Sequence, residues 1–479
     1  MKRFALTVST LLGTTVAWTA PTVTMIGDPV QDAVTREITV NYSLSEPAIV
    51  TVDVLTNGVT IGADKIKSVW GEVNKKLAAG NHAFTWQPLD DWPINLATDN
   101  CQISVVPWSL EGPPPYMVVM LGEASNVYFY ATAEAVPHGV VSEMSRKYQM
   151  VFSRIPAAGV RWQMGLSTPV HNTDKEIPHY VTLTNDYYMG VFPVTREQRN
   201  MMAPSSQIDS TGSRPDNTTS YESLRGVTAD YDWPTDGHAV AEDSIIGQFR
   251  KQSGLDGLDL PTEAEWEFAC RAGTSTKYYY GDRDSDFDDY GWRADSDYTK
   301  HGGTYYSSGG NMQVPGLLLP NAYGLYDMHG NVWEWCLDWY SDNYAVAGSD
   351  VTAPTGPVSS PVNQRVLRGG SFGHNAYNGS SGFHKDVGGI PNTSYYTIGF
   401  RLCCPVDMRT AEDGEGTGGT PTPAVASVTD FAPAAKSEAS VADLGTQAAP
   451  FDFVSRIEWL SDGRNFDSRK PFGFTLNFR

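Results

Sequence analysis

The sequence predicts an α+β globular domain preceded by a small all-β sandwich. Two observations set this order. Short runs that alternate apolar and polar residues, separated by turn formers, occupy residues 21–110. From 149 to 405 a capped helix is followed by aromatic segments that glycines interrupt, a pattern of helix mixed with short strands. Length agrees, because 479 residues exceed one ordinary domain.

The elements follow in order. Lys2 and Arg3 precede a mostly apolar stretch, Phe4 to Ala17, and Thr15, Ala17 and Ala20 offer small residues for cleavage. Residues 1–20 therefore read as an export signal, with a periplasmic, cell-surface or secreted location; a buried first strand is the alternative. EITVNYSLS and AIVTVDVLT alternate around Ser45-Glu46-Pro47 and Asn57-Gly58. Ala79-Gly80-Asn81 turns the chain into HAFTWQP, and CQISVVPW closes the set. Such spacing predicts a small sandwich, and the strand order loosely resembles the immunoglobulin-like modules found beside bacterial surface domains. Residues 111–148, opening on the stiff EGPPPY, read as a linker. After the central domain, 406–450 has the composition of a disordered linker. The tail, 451–479, regains aromatics and suits an added hairpin or a docking segment.

Composition narrows the partners. A net charge of −21 argues against nucleic acid or an anionic membrane surface and suits an exported protein or one that holds hard cations. Beyond the leader no stretch offers about 18 consecutive apolar residues, so no transmembrane segment is expected. Five cysteines, Cys101, Cys270, Cys336, Cys403 and Cys404, are an odd number without a CxxC pair, which makes zinc an unsuitable guess. Cys270 and Cys336 sit beside tryptophans and read as structural, either buried thiols or a mutual disulfide.

In LPTEAEWEFACRAGT, Thr262 is a natural N-cap and Glu265 completes a capping box. Glu263, Glu265 and Glu267 read as helix-start electrostatics rather than catalysis. The run NAYGLYDMHGNVWEWCLDWY, Asn321 to Tyr340, crowds tryptophans, tyrosines and carboxylates around Gly324 and Gly330 and reads as a packed irregular loop. These blocks, with IPAAGVRWQMGLS, IPHYVTLTNDYYMGVFPVTREQ, RVLRGGSF and IGFRL, appear in the order found in the formylglycine-generating enzymes. Residues 150–404 thus resemble that sulfatase-modifying-factor family, which implies a C-type-lectin-like fold.

Two chemical expectations follow. A hard divalent cation wants carboxylates mixed with carbonyl oxygens at a bend, and DMHGNVWE offers Asp327 and Glu334 around Gly330 and Asn331. The resemblance implies structural calcium at Asp327, Gly330, Val332 and Glu334, and a weaker second site near Asp295 and Asp297; the alternative is that the acids cap turns. The family's oxidation of a substrate cysteine uses two copper(I)-binding cysteines after Gly-Gly-Ser, since soft thiolates select that ion. Here RVLRGGSFGHNAYNGSSGFHKD places His374 and Gly379 at those positions, while Trp333 and Ser371 match the family. Copper is therefore unlikely on chemical grounds, and Trp333, Ser371 and His374 read as a vestigial catalytic set.

From Gly373 to Thr397 the residues are mostly Gly, Ser, Asn, Thr, Tyr and His, a composition suited to adaptable recognition. It resembles the ligand-binding segments of retroelement variable proteins. His374, Asn375, Tyr377, Asn378, His384, Asp386, Tyr395 and Tyr396 are the expected contacts for a protein, peptide or glycan. The expected function is ligand recognition without oxidation; the alternatives are a divergent oxidoreductase acting on a protein cysteine, and a surface spacer.

Overall fold

The computed structural model describes residues 20–406 apart from 57–58, 61–65, 92–100, 123–126, 167–176, 204–211, 218, 298–301, 304–311, 342–347 and 386–388. The expected leader, disordered linker and tail fall at 1–19 and 407–479, outside the described residues.

The N-terminal strands form two facing sheets. One contains β1 (Val23–Met25), β2 (Val30–Gln31), β3 (Ile38–Leu44), β6 (Val69–Gly71) and β8 (Gly80–Trp86) in the order β1-β3-β8-β6, with β2 also on β3. The other has β4 (Ala48–Thr56) between β9 (Cys101–Trp108) on one side and β5 (Val59–Thr60) and β7 (Lys75–Leu77) on the other. Alternation explains the core: Val40, Tyr42 and Leu44 of β3 turn inward against Val50 and Val54 of β4. A short helix, α1 (Pro88–Asp91), brings the Asp91 carboxylate to the indole N–H of buried Trp86 at 2.9 Å.

The expected linker at 111–148 is instead part of the central domain. β10 (Tyr116–Met120) and β11 (Val127–Tyr130) join a five-stranded sheet, β11-β10-β12-β15-β22, with β12 (Gln149–Ile155), β15 (Tyr187–Gly190) and β22 (Cys403–Pro405). Pro-rich EGPPPY precedes the continuous apolar run YMVVM, in which Met117, Val118 and Val119 are all buried. The sheet meets the sandwich directly: the Phe129 amide donates to the Asn74 carbonyl at 2.7 Å.

Among the described residues five further helices flank the core: α2 (Glu143–Lys147), α3 (Arg196–Met202), α4 (Tyr221–Arg225), α5 (Ile245–Ser253) and α6 (Glu263–Arg271). Small sheets complete it. β13 (Arg161–Met164), β14 (His179–Thr182) and β19 (Asp350–Thr352) form one, and β16 (Gly291–Trp292) pairs with β17 (His329–Gly330). β18 (Trp333–Trp339) lies between β20 (Arg365–Arg368) and β21 (Ile398–Gly399). Every residue of β18 is buried, because its faces pack into two clusters, Trp333, Trp335 and Leu337 in one and Cys336 in the other. Among the described residues no helix is long and apolar enough to cross a membrane.

Glu334, in the middle of β18, is the junction. Arg401 donates to both of its oxygens at 2.8 to 3.2 Å, and the Trp266 indole on α6 adds 2.6 Å. Arg401 also reaches the Gly190 and Tyr326 carbonyls, each at 2.8 Å, so one guanidinium ties β15 and the 326 corner to one carboxylate. We expect Arg401→Leu to lower unfolding free energy by about 3–5 kcal/mol, because it strands a buried charge. Urea denaturation checks this, and the Glu334→Leu/Arg401→Leu double variant should lose less than the sum of the singles.

Candidate functional site

The turn after β20 sets the site. Gly369 and Gly370 take φ of 91° and 78°, and a Cβ on Gly370 would meet Gly379 at 2.8 Å. Only glycine permits that close passage of backbone. The reversal is pinned to the β17–β18 corner, where the Gly330 amide donates to the Gly369 carbonyl at 2.6 Å and the Phe372 amide to the Asn331 carbonyl at 2.9 Å. Ser371 therefore lands beside His374, whose ring meets the indole edge of Trp333.

These three residues form one hydrogen-bonded set. His374 Nδ1 lies 2.7 Å from Ser371 Oγ and 3.3 Å from Trp333 Nε1. An indole N–H can only donate, so Nδ1 accepts and the neutral ring carries its proton on Nε2. Burial, with the Lys385 ammonium as a secondary cause, pushes the His374 pKa down to about 4. Lys385 lies 5.1 Å above the Trp333 ring, and Phe383 packs 6.0 Å from it. The Ala294 amide holds the His374 carbonyl at 3.0 Å. A neutral imidazole beside a buried indole can donate a hydrogen bond to a ligand; alone it offers one nitrogen and no thiolate to a soft metal.

The expected contact surface separates into parts. Asn375 and Tyr396 are exposed, Tyr396 by 68%, while Tyr377, Asn378 and Tyr395 are half-buried. Tyr396 stands 6.2 Å from Phe372, beside the set. His384 is not a surface contact: it is buried and bonds Glu263 at 2.9 Å, because its loop returns to pair with Arg368. Asp386 lies outside the described residues. The glutamates of α6 divide as well. Glu265 completes the capping box with Thr262, but Glu263 and Glu267 are buried partners of Arg368 at 2.8 and 2.7 Å rather than helix-start charges.

The calcium positions do not fit the ion as arranged. Asp327, Gly330 and Asn331 bend the chain with φ of 55°, 78° and 61° as expected. Yet both Glu334 oxygens are filled by Arg401 and Trp266, and a guanidinium there repels a dication. Asp327 accepts from the Gly316 amide at 2.7 Å and the Asn331 side chain at 3.1 Å, and burial raises its pKa to about 6. Asp295 is 70% exposed and lies 3.4 Å from Arg293, and Asp297 is exposed as well. Among the described residues no group of three His, Cys, Asp or Glu could hold a metal.

One cluster escaped sequence reasoning. His329, far in sequence from Cys270, has its Nδ1 4.0 Å from the Cys270 sulfur. Tyr278, Tyr279, Tyr280 and Phe287 surround its ring, with Tyr279 stacked at 4.4 Å. It donates to the Gly379 carbonyl at 2.7 Å and accepts from the Tyr279 amide at 3.2 Å. Burial drives its pKa down to about 3 and the Cys270 thiol up to about 12, the reverse of an activated thiolate pair. Cys270, Cys336, Cys403 and Cys404 are all buried and free, so the Cys270–Cys336 disulfide alternative does not occur.

The family model for the sulfatase-modifying factor enzyme 1-like domain matches residues 143–405, more than half of the chain, and the chain belongs to this family. It is 33% identical over 163 residues to the formylglycine-generating enzyme of Streptomyces coelicolor, covering 33% of this chain and 50% of that protein. It is 31% identical over 209 residues to the serine/threonine-protein kinase pkn1 of Chlamydia pneumoniae, covering 41% and 30%. Treponema denticola variable protein 1 overlays 53% of this chain and 95% of its own with a TM-score of 0.40 at 25% identity. The chain spans half or less of the length of these curated relatives.

Three outcomes are expected. Nuclear magnetic resonance should show His374 and His329 neutral from pH of about 5.5 to 8, and the stability that depends on their neutrality should decline as pH falls below the free value of about 6.5. Brief alkylation of the native protein should leave Cys270, Cys336, Cys403 and Cys404 unmodified until denaturant is added. Chelation with EGTA should leave the melting temperature unchanged.

Proposed function

We propose that the domain recognises a protein, peptide or glycan ligand without oxidising it. The observation that carries this reading is the Trp333–Ser371–His374 set, with a neutral imidazole at the loop where the family's chemistry asks for a thiolate. No described cysteine is available to replace it, since all four are buried with raised thiol pKa values. What remains is an aromatic and amide surface: Tyr396 and Asn375 in solvent, Tyr377 and Asn378 half-buried, and Lys385 beside Trp333. Rigid aromatics with short polar neighbours give contact area at low entropic cost. An export signal at Lys2, Arg3 and the apolar stretch behind them would put this surface outside the cytoplasm.

The decisive test loads the full chain with copper(I) and incubates it with a cysteine peptide under oxygen. Mass spectrometry should find the thiol unchanged; conversion to an aldehyde overturns the proposal in favour of a divergent oxidoreductase. In parallel, a displayed peptide library and a glycan array should yield a binder whose affinity falls about tenfold in Tyr396→Ala, the loss of one aromatic anchor.

A further inference from the structure

One cation at the rim of the recognition surface leaves most of its donors unused. Arg196 opens α3 and is half-buried. Among the described residues its guanidinium makes a single hydrogen bond, from Nη2 to the Asn217 side-chain oxygen at 2.8 Å. Its Nε–H is buried without an acceptor. A guanidinium carries five N–H groups, and a buried donor left unmade is costly. Asn217 ties this group to the surface near His374, because its amide donates to the Tyr396 carbonyl at 2.7 Å.

Charge around Arg196 is unbalanced. Buried Asp216 attracts both Arg196 and Arg199, while Arg214 adds a third cation beside Arg196. The neighbouring acids are engaged elsewhere: Glu197 accepts from the Gly212 amide at 3.2 Å, and Glu143 holds Lys147 at 3.0 Å. At the other end of the surface, His374 Nδ1 is filled by Ser371 and Trp333, which leaves Nε2–H as a donor. An acid, Asp297, is exposed on that side, on the turn that Ala294 holds to the His374 carbonyl. The uncompensated positive charge therefore lies at the Arg196 end. Between the two ends stand Phe372 and the exposed ring of Tyr396, 6.2 Å apart.

A ligand that fits must place an acceptor on one side of an aromatic contact and an anion on the other. An extended peptide does this with a backbone carbonyl and the carboxylate of a later residue, since each residue advances about 3.3 Å. The chain's net charge of −21 acts at long range and is screened beyond about 8–10 Å, whereas the Arg196 contact is direct.

We infer that Arg196 is the carboxylate-binding residue of this surface and that the ligand is an acidic peptide, with a backbone carbonyl on His374 Nε2–H. The inference rests on the recognition role of the Tyr396 surface and adds the chemical class of its partner.

A displayed random peptide library, panned on the full chain, tests it beside a glycan array. Recovered peptides should be enriched in Asp and Glu. A recovered peptide should bind Arg196→Gln about tenfold more weakly or worse, and Arg196→Lys should restore part of the affinity. A copy of that peptide with its acids replaced by amides should lose as much on the unaltered protein and little more on Arg196→Gln. Peptides without acidic enrichment, or acidic peptides that bind Arg196→Gln equally well, overturn the inference and leave recognition standing. Acidic glycans bound through Arg196, with no peptide recovered, overturn it in favour of a sugar carboxylate. Recovery of neither peptide nor glycan overturns the recognition reading, and this inference with it.

Discussion

The Glu334–Arg401 pair is the constraint from which the central domain is built. A carboxylate in the middle of a wholly buried strand is tolerable only when its lone pairs are filled, and Arg401 and Trp266 fill them. In doing so they fix α6, β15 and the 326 corner against β18. Arg368 repeats the device one strand away, held between Glu263 and Glu267, with Arg271 extending the chain of charges at 2.7 Å. Such networks define geometry more than they add stability, because desolvation offsets much of the attraction. Both Glu334 oxygens are filled by Arg401 and Trp266, whereas in the second network Glu263 Oε2 and Arg368 Nε are buried without a hydrogen-bond partner.

The candidate site inherits that rigidity. Trp333 begins the same strand, and the paired glycines after β20 bring Ser371 beside His374, whose ring meets its indole edge. The loop that carries the proposed recognition residues is thus anchored at its root and exposed at its rim. The Cys270–His329 contact is inert because both groups are buried: desolvation keeps the thiol protonated and the imidazole neutral, and the charge of Arg271 further opposes protonation of the ring.

How much of this was legible beforehand divides by locality. The capping box of Thr262 and Glu265, the alternating strands of the sandwich and the bend at Gly330 and Asn331 depend on neighbours along the chain, and the sequence displays them. The strands at 116–120 and 127–130 were obscured by a proline-rich lead-in that reads as a spacer, although their pairing lies in a five-stranded sheet. His384 has the composition of a surface contact but closes a bridge to Arg368, a relation that no local pattern encodes.

By itself the sequence determined the family and the alternating strands of the N-terminal sheets. It determined these because ordered motifs and residue chemistry are written locally. Only the tertiary structure decided which carboxylates were already neutralised. Glu334 looked like a cation ligand until Arg401, 67 residues away, was found on it, and Cys270 looked isolated until His329 was found beside it. Charge compensation and burial are properties of three-dimensional neighbours, and those neighbours are chosen by packing rather than by sequence distance.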